Sequence, residues 1–534
     1  MIYIKKPAKP TAPGEPFLHQ DHARPVTRRE MLGAGLISAP AVVMAPAWLG
    51  ALLRSGNARA DGLMLDQQAL EAACGISGGG ASNPKAIPFI CFDLAGGANL
   101  VGSEVLVGVK GGQSNFLSTA GYGKLGLPGS MVPSSTANIS SALGLLWHAD
   151  GAILRGIMSK ATTPATAANT NGAVICAMSQ NDTGNNPHNP MYGIAKAAIA
   201  KSQLVPLIGT NSTVSGGNSQ APMMLIDPTL QPTKIATPAD SKGLVGGASS
   251  TSDPVQVAVL ESQSRITLGT SNSTGVLSNS SMTVFPADAT ADAAAKVQAR
   301  CAFVKTAYSS SAFTATALDP TQDINIVGGA TPIFTATDFK DGDVAKTASV
   351  MKLVLQGFAT AGTISMGGYD YHDSTRASGE TKNFKAGQMI GAVLEYAQRM
   401  NTPVMIYVFS DGSLSATSSP DNSAASATSQ GGRGKLGWQG DNQSTASTFF
   451  LVYNPKGRAT TIGDPTTQQI GYFSADGSVV TTSSPAANSV NNLVYTVLLN
   501  YMGLMGNQGS FGTLFPTNGL GTAAAGMNVF NPIV

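Results

Sequence analysis

Aspartate and histidine recur in this chain where apolar runs stop. Asp93 ends the run Ile87-Pro88-Phe89-Ile90-Cys91-Phe92 and is followed by a glycine-rich turn, Ala95-Gly96-Gly97-Ala98, and Asn99. The run Gly362-Thr363-Ile364-Ser365-Met366 leads into Gly367-Gly368-Tyr369-Asp370-Tyr371-His372-Asp373. Pro403–Phe409 leads into Ser410-Asp411-Gly412-Ser413, and Gly440-Asp441-Asn442-Gln443 stands just before the run 448–453. Carboxylates with one imidazole form a hard-to-borderline ligand set, suited to zinc, manganese, calcium or magnesium. A cation held by Asp93, Asp370, His372, Asp411 and Asp441 would polarise a phosphoryl or sulfuryl oxygen and lower the pKa of bound water. Each residue also has a plainer role: His372 as a turn histidine bonded to a neighbouring carboxylate, Asp411 and Asp441 as turn or cap residues, Asp93 as a buried hydrogen-bond acceptor. The cluster Asp338–Asp343 lacks the alternating ligands and distal glutamate of a calcium loop and is read as helix-capping.

These side chains converge only if the runs are neighbouring strands. Strands are expected at 87–94, 152–158, 362–366, 403–409 and 448–453, helices at 191–201, 254–265, 288–309, 341–360, 383–400 and 489–505, with an apolar run at 204–208. Strands alternating with helices of this length predict a three-layer α/β/α fold around a mostly parallel sheet, which collects ligands at the strands' carboxyl ends. Residues 102–136 and 169–190 read as polar loop, and polar insertions are expected at about 100–140, 209–253 and 411–447.

Gly-Gly-Tyr-Asp-Tyr-His resembles the Gly-Gly-Trp-Asp-Thr-His motif of a family of exported proteins, domain of unknown function 1501. Those proteins also carry a twin-arginine leader, a Gly-Gly turn after an early strand, and strands bordered by Ser-Glu-Phe-Gly-Arg and Thr-Asp-His-Gly. The order and rough spacing are kept here from about residue 87 to 455. The family is similar to the alkaline phosphatase and sulfatase superfamily, whose α/β/α fold binds two metals at the strand ends. The resemblance implies ligand-like positions for Asp370, His372, Asp411 and Asp441, with Asp93 or Asn99 at the first. It also implies a hydroxyl or modified-cysteine nucleophile at a helix N-terminus, for which Thr162, Thr163, Thr170 and Ser159 are the positional candidates. Here Ser410-Asp411-Gly412-Ser413-Leu414 shortens the acid and loses the arginine, and Asn442 replaces an imidazole. After the leader only His148, His188 and His372 remain, too few for two histidine-rich metal sites. One divalent cation, or none, is the expectation. The reading is an exported, non-catalytic binding or surface-assembly protein on a degenerate scaffold; the alternative is a divergent metal-dependent phosphate- or sulfate-ester hydrolase.

Composition bounds the compartment and the partners. Thr27-Arg28-Arg29-Glu30-Met31-Leu32 precedes a mildly apolar run to Leu53 and an Ala58-Arg59-Ala60 cleavage pattern. That reads as a twin-arginine signal over 1–60, with the translocase as export partner and a periplasmic or extracellular destination. A single membrane anchor is the competing reading of the run. A linker at 61–86 and one domain over 87–534 would follow. The leader holds 8 of the 32 Lys+Arg and 3 of the 30 Asp+Glu, so the rest is near −3, which does not suit capture of nucleic acid. The four cysteines, at 74, 91, 176 and 301, permit two disulfides in any of three pairings, although Cys91 lies in an apolar run and reads as a buried thiol.

Overall fold

The computed structural model describes residues 87–179, 186–198, 202–244 and 315–534, with the pairs 269–270 and 273–274 and two isolated residues between. The expected leader, the linker, Cys74, Cys301, the helix at 254–265 and all but two positions of that at 288–309 lie outside the described residues. The chain divides into two compact units. One joins Met1–Cys74 to Gly243–Ala315; within it Gly269–Thr270 pairs antiparallel with Ser273–Thr274. The other joins Gly75–Lys242 to Thr316–Val534 and contains every element below.

Eight strands form its sheet: β1 (Phe89–Leu94), β2 (Thr170–Ile175), β3 (Val205–Gly209), β4 (Thr233–Lys234), β5 (Ala359–Met366), β6 (Val404–Ser410), β9 (Thr448–Tyr453) and β10 (Gln469–Ile470). Between β6 and β9 a separate hairpin is made by β7 (Leu414–Pro420) and β8 (Leu436–Asp441). The order across the sheet is β10-β2-β9-β6-β1-β5-β3-β4. Every neighbouring pair is parallel except the two made by β9, so β9 alone is reversed. This is the α/β architecture with a mostly parallel sheet that the alternation of elements predicts. β1 is central and buried on both faces, which is why its sequence is a continuous apolar run rather than an alternating one. Its register sets Asp93 opposite Phe409 on β6 and Ser365 on β5.

Helices cover the two faces. On one lie α2 (Met191–Ala197) and α5 (Val490–Leu504), whose Ile194, Leu498 and Tyr501 share a core with Phe89, Cys91 and Tyr407. On the other lies α3 (Gly342–Leu355): a Cβ at Gly362 of β5 would point at Val350 and Val354. Asp341 caps α3 by accepting from the N–H groups of Asp343 and Val344, the capping role expected of that acidic cluster. The connection from β5 to β6 is α4 (Ala377–Arg399), 23 residues long.

The strand expected at 152–158 is instead a helix, α1 (Ala152–Lys160). Ile153, Leu154 and Ile157 recur at helical spacing and are buried, while Met158 faces out. A short apolar run cannot distinguish strand from helix, and here packing decides. A Cβ at Gly156 would collide with the Phe384 carbonyl of α4, and one at Gly387 or Gly391 would collide with the carbonyls of Ile153 or Ile157. Three further expectations are corrected. Residues 170–175, read as polar loop, form β2, where Thr170 donates to the Thr166 carbonyl and Asn171 to that of Ala459. The stretch 102–136 is by contrast mostly loop, as expected, with short helical turns at Thr119–Lys124 and Gly129–Met131, and it buries Leu106, Val107, Tyr122, Leu125 and Leu127. The insertion at 411–447 carries the β7–β8 hairpin. The helix expected over 341–360 stops at Leu355, where Gly357 turns with φ +77°, and β5 starts at Ala359. Cys91 and Cys176 are buried free thiols, as Cys91 was expected to be. Among the described residues no helix is long and apolar enough to cross a membrane.

Candidate functional site

Asp370 and His372 lie on the loop leaving β5, and Asp441 ends β8. The hairpin sets Asp441 opposite Leu414, just beyond the end of β6, and so brings it to the same rim. His372 Nε2 is 2.7 Å from Asp370 Oδ1 and 3.9 Å from Asp441 Oδ1. One ligand atom from each of the three falls within 4.8 Å of the others, and all three residues are exposed. Their backbone is fixed from behind. The Tyr369 N–H donates to the Ala95 carbonyl, Gly368 turns at φ +81°, the Ser374 N–H donates to Trp438 O, and the Asn442 N–H donates to Ser413 O. Desolvation pulls the His372 pKa down; the Asp370 carboxylate, a backbone hydrogen bond and the Asp441 carboxylate together outweigh it, and the net shift is upward. Two carboxylate oxygens and an imidazole nitrogen fit one zinc, manganese, calcium or magnesium ion with coordination positions left over.

Asp93 and Asp411 reach the carboxyl edge but not that cluster. Both are buried, and both are held by the chain's own donors. Asp93 Oδ2 accepts from the N–H groups of Asn218 (2.6 Å) and Ser219 (2.8 Å), and Oδ1 from the Ser219 hydroxyl (3.2 Å). Burial drives the Asp93 carboxyl up to about 7 against the pull of those donors, with the nearby Asp411 charge adding to the rise. Asp411 Oδ1 accepts from the Gly96 N–H at 2.8 Å, and Oδ2 lies 3.4 Å from Asn218 Nδ2. The next two N–H groups of the glycine turn, those of Gly97 and Ala98, donate to Ser410 Oγ. An array of successive N–H groups that would suit an anion is thus taken up by Ser410 and Asp411. The loop over Asp93 can approach because Gly217 has no side chain: a Cβ there would lie 2.6 Å from Asp93 Oδ2. Asn99, the alternative to Asp93, is buried with its Nδ2 on Ser413 Oγ and its N–H on the Tyr371 hydroxyl.

The hydroxyl candidates lie elsewhere. Thr162 and Thr163 donate to Glu395 Oε1 at 3.4 and 2.6 Å, and Glu395 is in the last turn and a half of α4. Because α4 starts at the carboxyl edge and returns to the start of β6, Glu395 and its threonines sit at the opposite end of the sheet. Thr170 opens β2 at that same far end. Ser159 donates to the Gly156 carbonyl within α1. None of the four joins the Asp370–His372–Asp441 cluster. His148 is structural: Nε2 faces the Met131 carbonyl at 3.0 Å and Nδ1 accepts from the Asp150 N–H. His188 stacks on Phe409, 5.6 Å between centroids, with both ring nitrogens buried and unpartnered.

Sequence reasoning missed Asn218 and Ser219, which occupy Asp93, and Ser410, which occupies the glycine turn. The pair Gly216-Gly217 was the available signal, two glycines permitting a close backbone approach. Comparison with protein-family models, with curated proteins and with solved structures finds no match to the chain.

Proposed function

We propose that this is a non-catalytic binding or surface-assembly protein, exported by the twin-arginine route to the periplasm or beyond, on a degenerate alkaline phosphatase-like scaffold. One observation carries the reading: the two strand-end carboxylates best placed for an interior metal, Asp93 and Asp411, are engaged by N–H groups of Gly96, Asn218 and Ser219. A cation in that position would have to displace those donors. The hydroxyl candidates at the far end of the sheet supply no nucleophile to the rim.

The alternative, a metal-dependent phosphate- or sulfate-ester hydrolase, is favoured by the exposed Asp370–His372–Asp441 cluster, whose donors suit one divalent cation. Such a cation would supply Lewis acidity and a more acidic bound water. Metal quantification on the purified full chain, with hydrolysis of an aryl phosphate and an aryl sulfate, separates the two. Less than stoichiometric metal and no hydrolysis are expected. Stoichiometric metal, lost with measurable hydrolysis in Asp370→Ala, overturns the non-catalytic reading and establishes the alternative.

A further inference from the structure

Behind the rim a set of ionisable side chains is packed into the interior. Glu104, Glu380, Arg376 and Lys435 are each at most 1% exposed. Glu380 is heavily compensated: Oε1 receives Arg376 Nε at 3.0 Å and Lys435 Nζ at 2.9 Å, and Oε2 receives Arg155 Nη2 at 2.7 Å. Asp150, just before α1, faces Arg155 and Lys435, with Arg433 closing the outer edge. Arg376 also lies over the Trp438 ring, 4.3 Å from its centroid. Among the described residues no cation is in contact with Glu104. Its Oε2 accepts from the Ile153 N–H at 2.8 Å and its Oε1 from Asn383 Nδ2 at 3.0 Å. It is therefore the member of the set whose negative charge is least compensated.

A chain of hydrogen bonds leads from Glu104 to the rim. Asn383 uses its Nδ2 on Glu104 and, at 3.3 Å, on the Asn99 carbonyl, and its Oδ1 to accept from the Tyr371 hydroxyl at 2.9 Å. That hydroxyl in turn accepts from the Asn99 N–H at 3.1 Å. Tyr371 is the residue between Asp370 and His372. Each bond fixes the direction of the next, because an amide has distinct donor and acceptor ends and a phenol has one proton.

We propose that Glu104 is a proton-operated switch of the rim, acting through Asn383 and Tyr371 on the segment that carries Asp370 and His372. Protonating Glu104 on Oε1 sets a donor against the Asn383 amide donor. The amide turns to present Oδ1 to Glu104 and Nδ2 to Tyr371, giving up its bond to the Asn99 carbonyl. The Tyr371 oxygen then faces two donors, Asn383 Nδ2 and the Asn99 N–H, and its own proton has lost its acceptor. The frame behind the rim loosens. The transition falls near neutrality, since burial and then the Glu380 carboxylate push Glu104 up to about 7 against Lys435. The other titratable groups around it are the Tyr371 phenol, raised beyond the working range by burial, and His148, whose N–H donates to the Glu104 carbonyl and whose imidazole is held down to about 4. The effect on a bound cation rests on reading the rim as a cation site; the relay itself does not.

Hydrogen exchange of the full chain without added metal tests the relay. It is read by mass spectrometry between about pH 5.5 and about pH 8.5 and corrected for intrinsic rates. Peptides covering residues 96–104 and 367–376 are expected to exchange about tenfold faster below neutrality, the factor that one pKa unit of coupling produces. Glu104→Gln should hold both peptides in the fast state at every pH. Tyr371→Phe should abolish the step at 367–376 and leave it at Ile153, which bonds Glu104 directly. A flat wild-type profile, a step that survives Glu104→Gln, or one that Tyr371→Phe leaves intact at 367–376 overturns the switch. Because no cation is present, a rim that binds no metal leaves this test standing.

Discussion

Aspartate serves two purposes at this carboxyl edge, and the difference lies in what faces each oxygen. Asp93 meets three donors and Asp411 meets the Gly96 N–H and the Asn218 amide, so both are acceptors within the fold. Asp370 and Asp441 are exposed and lie beside the His372 imidazole. The coupling of His372 to Asp370 can be measured directly. Its pKa is raised above the ordinary imidazole value, so the ring protonates at a higher pH than a free histidine. Asp370→Asn should return it downward, read as a shift of the His372 Cε1 proton titration by NMR. An unchanged midpoint would mean that the 2.7 Å contact does not persist in solution.

Elements place these residues through close approaches that the apolar pattern does not reveal. The α1–α4 crossing depends on Gly156, Gly387 and Gly391, where backbone meets backbone. Gly387→Ala is expected to cost about 1–3 kcal/mol by overpacking against the Ile153 carbonyl, less any gain in helix propensity. A denaturant midpoint that does not fall would show that the helices can part at no cost. This contact also explains the misreading of 152–158. Ile153, Leu154 and Ile157 suit either a buried strand or a helix face, and only the partner with its glycines decides. The hairpin carrying Asp441 was likewise illegible. Its strands are rich in Ser, Thr and Gly, and they are fixed by Trp438 packing on Arg376 and by the Asp421 carboxylate on the N–H groups of Arg376 and Ala377.

At the scale of the molecule, buried titratable groups set the response to acid. Burial lowers His188 to about 3; burial, aided by the Lys435 charge, lowers His148 to about 4. Both take up protons in the unfolded chain below about 6.5 while remaining neutral in the fold. The stability they contribute is present above about 6.5 and is lost as pH falls toward those values. Replacing His188 by Phe removes two unpartnered ring nitrogens and keeps a ring over Phe409. Stability near pH 7 should be retained or improved, and the loss between about pH 6.5 and about pH 4 should become shallower. Urea melts at both pH values give the comparison; an unaltered acid slope would place the proton uptake elsewhere.

Periodicity and composition alone determine that apolar strands alternate with helices around a mostly parallel sheet, but not that 152–158 is a helix or that 170–175 is a strand. A run such as Phe89–Leu94 must be buried on both faces, and an apolar strand at 362–366 followed by a helix at 383–400 must cross over to a parallel neighbour. They also determine that aspartates fall at the ends of those strands. Tertiary structure alone decides which of them stay available. Asp93 is claimed by N–H groups 125 and 126 positions away, and Asp411 by one 315 positions away. A backbone N–H carries no mark in the sequence, so only the folded path of the chain shows where it points.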